Sequence, residues 1–365
     1  MKPIKLAIAG VGNCASSLLQ GIEYYKHNDG ASGLMHRSIG GYEAGDIVPV
    51  AAFDVDIRKV GKPLHVAMFA KPNCTTVFHA EVPDYGVTVL MGPTLDGIAA
   101  HMRDFADEQS FLESDANPVD IEQVLRCSEA EVLLCYLPVG AERAARVYAD
   151  ACLAAGVAMV NCVPVFLASE KEYADKFAKR NLPIVGDDIK SQFGATIVHR
   201  VLARMLCDRG VKPLCTYQLN TGGNTDFLNM LERSRLSSKK RSKTEAIQSQ
   251  FDSPLEENLV HVGPSDYVPW LKDNKIGFIR LEWAGFGDVP MNLEVRLSVE
   301  DSPNSAGIAI DALRFAKLAL DRGIGGPLEA VSAYLMKRPP RQMRDDDARS
   351  AISEFLGNER VAPAY

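Results

Sequence analysis

Short apolar runs recur along the first half of the chain, at Ile4–Ala9, Val48–Asp54, Val87–Met91, Val132–Leu137, Val157–Asn161 and Leu182–Val185. Their length and their bounding Gly, Pro and polar residues predict buried strands. Between them, apolar positions recur at helical spacing over Ala15–Tyr25, Ala141–Ala155 and Glu170–Lys179. Strands alternating with helices in this way predict βαβ units and a mostly parallel sheet. Residues 26–46 break the rhythm. Rich in glycine and polar side chains, they read as a surface insertion between the first helix and the second strand.

Beyond a helix at Ala195–Arg209, closed by Gly210, the texture changes. Leu214–Leu219, Phe278–Trp283 and Leu293–Val299 read as strands, the last two paired antiparallel across a Gly/Pro-rich connection at 284–290. A long helix over Ala306–Asp321 ends at Gly323. The pattern predicts an α/β chain whose parallel sheet is interrupted by an inserted α+β domain carrying an antiparallel sheet.

Composition narrows the function. The net charge of −7 argues against a dedicated nucleic-acid binder, although it leaves room for a local basic pocket. No apolar stretch reaches the roughly 18 residues of a membrane span. The N-terminal run is broken at Gly10-Val11-Gly12, unlike a secretory leader. Eight cysteines include no C-x-x-C pair, and several lie in apolar runs. They read as buried free thiols of a reducing, cytoplasmic protein.

Gly10-Val11-Gly12-Asn13-Cys14-Ala15 fits G-x-G-x-x-A directly after a strand and before an amphipathic helix. Such glycines permit a tight turn and close backbone approach to a pyrophosphate, with the helix N-terminus behind it. The fold expected is therefore a Rossmann-like doubly wound parallel sheet. Asp54 ends the second strand, where a carboxylate accepts both ribose hydroxyls and repels a 2′-phosphate, so NAD is favoured over NADP. Its distance from Gly10 is about twice the usual spacing of roughly 20 residues, and the insertion at 26–46 accounts for the excess. The turns Pro138-Val139-Gly140 and Asn161-Cys162-Val163-Pro164 end two further strands at the same edge.

Gly186-Asp187-Asp188-Ile189-Lys190-Ser191 follows the strand at Leu182–Val185, where adjacent acids beside Lys and Ser suit cofactor or hydroxyl recognition. Asn220-Thr221-Gly222-Gly223-Asn224-Thr225-Asp226 is a second polar loop, which a plain tight turn would also produce. From Glu232 to Lys243 six basic side chains face one acid. Lys239 and Lys243 are four residues apart and share a helix face, where their repulsion favours an anion between them. A solvated basic face would look the same. Lys275, Asp301 and Lys337 are individually unremarkable.

Together these motifs are similar to those of the myo-inositol-1-phosphate synthase family, especially its compact actinobacterial and archaeal type. The resemblance runs from the Gly10 turn to Lys337-Arg338-Pro339-Pro340. It is carried by Gly186–Ser191, Leu219–Asp226, Ser238-Lys239-x-x-Ser242-Lys243 and Asp301-Ser302-Pro303-Asn304-Ser305-Ala306-Gly307. It implies an isomerase (an intramolecular lyase) that converts D-glucose 6-phosphate to 1D-myo-inositol 3-phosphate with recycled NAD. The expected course is oxidation at C5, enolisation at C6, attack of C6 on C1 and re-reduction at C5.

By the same resemblance, Lys239, Lys243, Lys275, Lys337, Asp188, Asp226 and Asp301 are catalytic. Lys239 and Lys337 are expected at the C5 and C1 oxygens, and Lys243 and Lys275 at the phosphate or at proton transfer. Gly10, Gly12, Asn13, Cys14, Ala15, Asp54, Asp187, Ser191, Asp226 and Lys239 are expected at the cofactor. The family also implies a divalent metal or a monovalent cation, and a homotetramer built through the inserted domain. Residues 1–200 with 306–365 are expected to form the NAD-binding domain, and 201–305 the catalytic and oligomerisation domain. The alternatives are an NAD-dependent dehydrogenase of another phosphorylated polyol and a non-catalytic NAD or sugar-phosphate sensor.

Overall fold

Six of the apolar runs form consecutive strands of one sheet in this computed structural model, which describes residues 3–28, 30 and 32–357. They are β1 (Ile4–Ala9), β2 (Ile47–Asp54), β3 (Val89–Met91), β4 (Val132–Cys135), β5 (Ala158–Asn161) and β6 (Pro183–Val185). A two-residue strand, β11 (Gly326–Pro327), adds an edge to give the order β11-β6-β5-β4-β1-β2-β3, with every pair parallel. The order reverses beside β1, so its carboxyl end borders the crevice that a doubly wound sheet opens at a switch point. Val132–Cys135 and Ala158–Asn161 are buried at every position, as central parallel strands must be.

Helices cover both faces. On one lie α1 (Asn13–His27), α9 (Asp301–Asp321), α10 (Glu329–Leu335) and α11 (Asp345–Phe355), with Leu18, Ile22, Ile310, Leu313, Val331 and Ile352 in a shared core. On the other lie α3 (Ile121–Cys127), α4 (Glu142–Ala155) and α5 (Lys171–Lys179), anchored by Leu125, Tyr148 and Phe177. A single turn, α2 (Leu64–Ala67), follows β2.

The second sheet contains β7 (Lys212–Gly222), β8 (Val260–Tyr267), β9 (Asn274–Ala284) and β10 (Pro290–Glu300) in the order β10-β9-β7-β8. Between β6 and β7 the chain forms α6 (Ala195–Asp208), and between β7 and β8 it forms α7 (Thr225–Asn229) and α8 (Ser237–Gln248). Ala203, Leu206 and Ile247 bury one face of this sheet against Val262, Ile279 and Leu281.

Three expectations change. The second sheet is mixed, because β8 pairs parallel with β7 while β9 pairs antiparallel with β7 and β10. Second, α9 begins at Asp301 rather than Ala306. Its polar first turn, Asp-Ser-Pro-Asn-Ser, suits a helix N-terminus, where acids and uncapped N–H groups are favoured.

Third, the described residues of 32–46 are not a solvated insertion. Leu34, His36, Ile39, Tyr42 and Ala44 are buried against α9. The buried Arg314 guanidinium donates to the carbonyls of His36, Arg37 and Tyr42, and His36 pairs with Asp311. The cysteines also differ from expectation in burial. All eight are free, but Cys127 is exposed and Cys135, Cys152 and Cys162 are the fully buried ones. Among the described residues no helix is long and apolar enough to cross a membrane.

Candidate active site

Gly10 leaves β1 with φ +96, and a Cβ there would lie 2.6 Å from the Tyr136 carbonyl oxygen, so the position requires glycine. Its N–H donates to the Phe53 carbonyl at 2.8 Å, tying the turn to the end of β2. Gly12 precedes α1, whose first turn carries neither an acid nor a capping side chain, and nothing lies within 4 Å of where its Cβ would be. A helix N-terminus left open beside bare backbone suits a bound pyrophosphate.

Gly10, Gly12, Asn13, Cys14 and Asp54 line one end of a crevice of about 1400 Å³ that opens to solvent. The Asp54 carboxylate accepts from the N–H groups of Val11 at 2.8 Å, Val55 at 2.8 Å and Asp56 at 2.9 Å. These bonds fix it at the crevice wall.

Other residues assigned to this end have different work. Asn13 accepts from the N–H groups of Cys74 and Thr75 at 2.7 and 3.1 Å. The Cys14 thiol sits 3.8 and 3.7 Å from the hydroxyls of Ser302 and Ser305. Burial, assisted by Asp273 and Asp301, pushes it up to about 12, so it stays a thiol. Ala15 is buried in the core and outside the crevice wall.

The loop after β6 separates the two adjacent acids. Asp187 points into the protein, where its carboxylate accepts from the Asn161 amide at 2.7 Å, the N–H groups of Leu167, Ala168 and Ser169 at 3.0–3.1 Å, and the Ser169 hydroxyl at 2.8 Å. It is absent from the crevice wall and holds the turn after β5 instead, which corrects its placement on the cofactor.

Asp188 lies in the crevice with φ +62. One carboxylate oxygen accepts from the ammonium groups of Lys239 at 3.2 Å and Lys337 at 3.0 Å. The other accepts from the Ser242 hydroxyl at 2.7 Å. Burial alone would raise this carboxyl, but the two lysines and Ser242 outweigh it and hold it well below the ordinary carboxylate range. Lys337 also donates to the Ile189 carbonyl at 2.6 Å. Burial pushes Lys337 down to about 8, with Lys239 and Lys275 adding to the fall and Asp188 opposing it.

Lys275 meets Asp301 at 3.0 Å. Asp226 lies in the first turn of α7, capped by Asn224, and accepts from the Val139 N–H at 3.1 Å. Ser191 borders the same space. Lys243 lies one turn beyond Lys239 on α8, buried, with no hydrogen-bonded or ion-pair partner among the described residues. Burial, then the charges of Lys275, Lys239 and Lys337, push it well below the ordinary lysine value. Four ammonium groups thus converge from α8, β9 and the segment after α10 upon three carboxylates.

A family model described as myo-inositol-1-phosphate synthase matches residues 194–302. The inositol-3-phosphate synthase of Corynebacterium glutamicum is 56% identical over 361 residues, covering 97% of this chain and 98% of that one. That of Mycolicibacterium smegmatis is 55% identical over 97% and 98%. The chain belongs to the inositol-3-phosphate synthase family. A solved structure, that of Ari2, is 34% identical with a TM-score of 0.75 over 97% of this chain and 99% of that one.

For a member of the inositol-3-phosphate synthase family, three further residues stand out that sequence reasoning did not find. Asp273 is buried and joins Asn224, through its amide at 2.9 Å, to the Ser302 hydroxyl at 2.8 Å, so it ties the loop before Asp226 to the start of α9. Its carboxyl is pushed up to about 6 by burial. Its position two residues before Lys275 was the available signal. Lys59 and Asn73, which also border the crevice, had no motif to mark them.

Proposed function

We propose that this chain is an isomerase that converts D-glucose 6-phosphate to 1D-myo-inositol 3-phosphate, with NAD as its resident cofactor. The observation that carries the reading is one carboxylate, Asp188, holding two ammonium groups in the same crevice as an open glycine turn, with the buried Lys243 close behind them and without a partner among the described residues.

The glycine turn, the open end of α1 and Asp54 fit a dinucleotide with an unmodified ribose. NAD, when bound, supplies hydride removal from C5 of the sugar and its return. The protein's own groups do the rest. Lys239, fixed by Asp188, donates to the C5 oxygen, where negative charge builds as the substrate's own phosphate takes a proton from C6. Lys337 donates to the C1 oxygen as C6 bonds to C1. Fixed ammonium groups stabilise such oxyanions without having to reorient. Lys243 and Lys275 hold the phosphate, and its dianion draws a proton onto Lys243.

The described residues gather no group of three or more His, Cys, Asp or Glu side chains able to hold a metal ion. Asp188 and Asp301 already face ammonium groups. This donor set does not fit a metal held by protein side chains, and no step runs through one. Turnover after chelation, with and without added ammonium or a divalent ion, tests the cation requirement that the resemblance implies.

We further assign residues 1–200 with 306–365, of which 1–2, 29, 31 and 358–365 lie outside the described residues, to the NAD-binding domain and 201–305 to catalysis and assembly, in a cytoplasmic homotetramer. Leu219 and Phe278, paired across β7 and β9 and both exposed, support assembly through the second sheet. Light scattering on the full chain tests it.

Incubation with glucose 6-phosphate and substoichiometric NAD+ is expected to yield inositol phosphate without net NADH. Stoichiometric NADH would indicate a simple dehydrogenase, and NAD binding without any turnover would indicate a sensor.

A further inference from the structure

We infer that Lys59 is a positioning residue of the nucleotide site, which fixes the Val11 carbonyl so that the Gly12 N–H is aimed at the dinucleotide's pyrophosphate. The inference rests on the NAD reading above and adds a residue which that reading does not contain.

Lys59 follows β2 and is only 1% exposed. Its ammonium donates to the Val11 carbonyl at 2.8 Å and to the Asn73 side-chain oxygen at 2.9 Å. The Asn73 amide donates to the same Val11 oxygen at 3.0 Å and to the Met68 carbonyl at 2.9 Å. The middle carbonyl of the glycine turn therefore receives two side-chain donors from outside the turn. Asp54 takes the Val11 N–H at 2.8 Å and lies 3.8 Å from the Lys59 ammonium. Both polar backbone atoms of Val11 are thus held.

The peptide between Val11 and Gly12 is trans. In a trans peptide the carbonyl of one residue and the N–H of the next point in opposite directions. Holding the Val11 oxygen against Lys59 and Asn73 turns the Gly12 N–H away from them, on the residue that borders the open end of α1. One neutral donor would satisfy that carbonyl, and Asn73 already is one. A buried ammonium is costly at such a place. Burial pulls Lys59 below the ordinary lysine value although Asp54 and Asp56 oppose the fall. Asp54, at 3.8 Å, accompanies that ammonium, which adds a second, charged donor where one neutral donor would do, and an anion on the turn's other face suits the N–H so held.

The test is calorimetric titration of the full chain with NAD+, ADP-ribose and adenosine. Lys59→Gln keeps a donor and removes the charge. It is expected to weaken NAD+ and ADP-ribose, which carry the pyrophosphate, by about tenfold. Adenosine, which lacks the pyrophosphate, should change by less than about twofold. Equal losses on all three ligands, or no loss on NAD+, overturn the inference.

Should Lys59→Gln not fold, Asn73→Ala removes the neutral donor and leaves the charge. A loss of about threefold on ADP-ribose with adenosine unaffected supports the arrangement. An equal loss on adenosine overturns it. If the wild-type chain binds none of the three ligands, the NAD reading itself falls. Wild-type binding with an unselective Lys59→Gln removes Lys59 alone.

Discussion

At the glycine-turn end of the crevice, Lys59, Asn73 and Asp54 all direct hydrogen bonds at backbone atoms of the turn and its flanking strand. At the other end, Lys239 and Lys337 share a single carboxylate, and Lys243 has no partner among the described residues. The first end has its backbone fixed before any ligand arrives, and the open N–H groups that it presents do not titrate. The second sets four lysines against three carboxylates, with Lys243 pushed well below the ordinary lysine value, and an anionic ligand completes it by drawing a proton onto that amine. A resident cofactor and a transient sugar phosphate ask for this difference. Rigidity belongs where a ligand stays, and charge imbalance where one must be drawn in and released.

The comparison breaks most visibly at the two lysines on Asp188. Lys239→Ala and Lys337→Ala are each expected to lower kcat by at least about 10³-fold while NAD affinity stays near wild type, because an oxyanion loses its fixed partner. Inositol phosphate assays beside NAD titrations check this, and wild-type turnover in either variant would refute the assignment. Asp188→Asn leaves two buried ammonium groups without their acid. It is expected to cost about 3 kcal/mol of stability, read by thermal or urea unfolding. The wild-type contribution follows from a carboxyl depressed by folding. It is present at neutral pH and is lost as pH falls below the ordinary carboxylate range.

At the opposite end, Asp54→Ala should weaken NAD binding by about tenfold or more and leave glucose 6-phosphate binding almost unchanged. Equal loss of both ligands would erase the distinction between the ends.

The pH profile sharpens it. Lys337 titrates at about 8, so kcat/KM should fall as pH rises through that value, and an unchanged rate across it would remove Lys337 from the charged machinery. The smallest effect expected is that of Lys243→Met, which should stabilise the unliganded chain by about 1 kcal/mol while weakening sugar-phosphate binding. The sign follows from an ammonium pushed below 10.5 by folding. Wild-type Lys243 lowers stability increasingly as pH falls below that value, so the gain from Met is largest near neutral pH and vanishes above it. Calorimetry at two pH values measures it.

Much of the fold was legible because buried parallel strands leave continuous apolar runs and the glycine turn leaves a fixed spacing. What escaped has physical reasons. In β8, Val260-His-Val-Gly-Pro-Ser-Asp-Tyr267 has apolar side chains at two of its first three positions and then Gly and Pro, so it reads as loop, and its place comes from its pairing with β7. The segment at 26–46 is polar by composition, yet Arg314, far along the chain, satisfies its carbonyls and lets Leu34 and Ile39 pack.

At the site, the helical spacing of Lys239 and Lys243 was legible, but their meeting with Lys275 and Lys337 came only through the family resemblance, since those two carry no spacing signal. Asp187 and Asp188 look equivalent in the sequence, and only the turn separates one into the interior and the other into the crevice. Lys59 resembles any surface lysine until the fold closes over it.

The chain passes between its two sheets at two places: the loop from β6 to α6, and the junction where β10 gives way to α9. Each passage delivers a carboxylate to the crevice, Asp188 at the first and Asp301 at the second. Lys239 on α8 meets the first acid and Lys275 on β9 meets the second, so the ion pairs that set the charge of the crevice also tie the two sheets together.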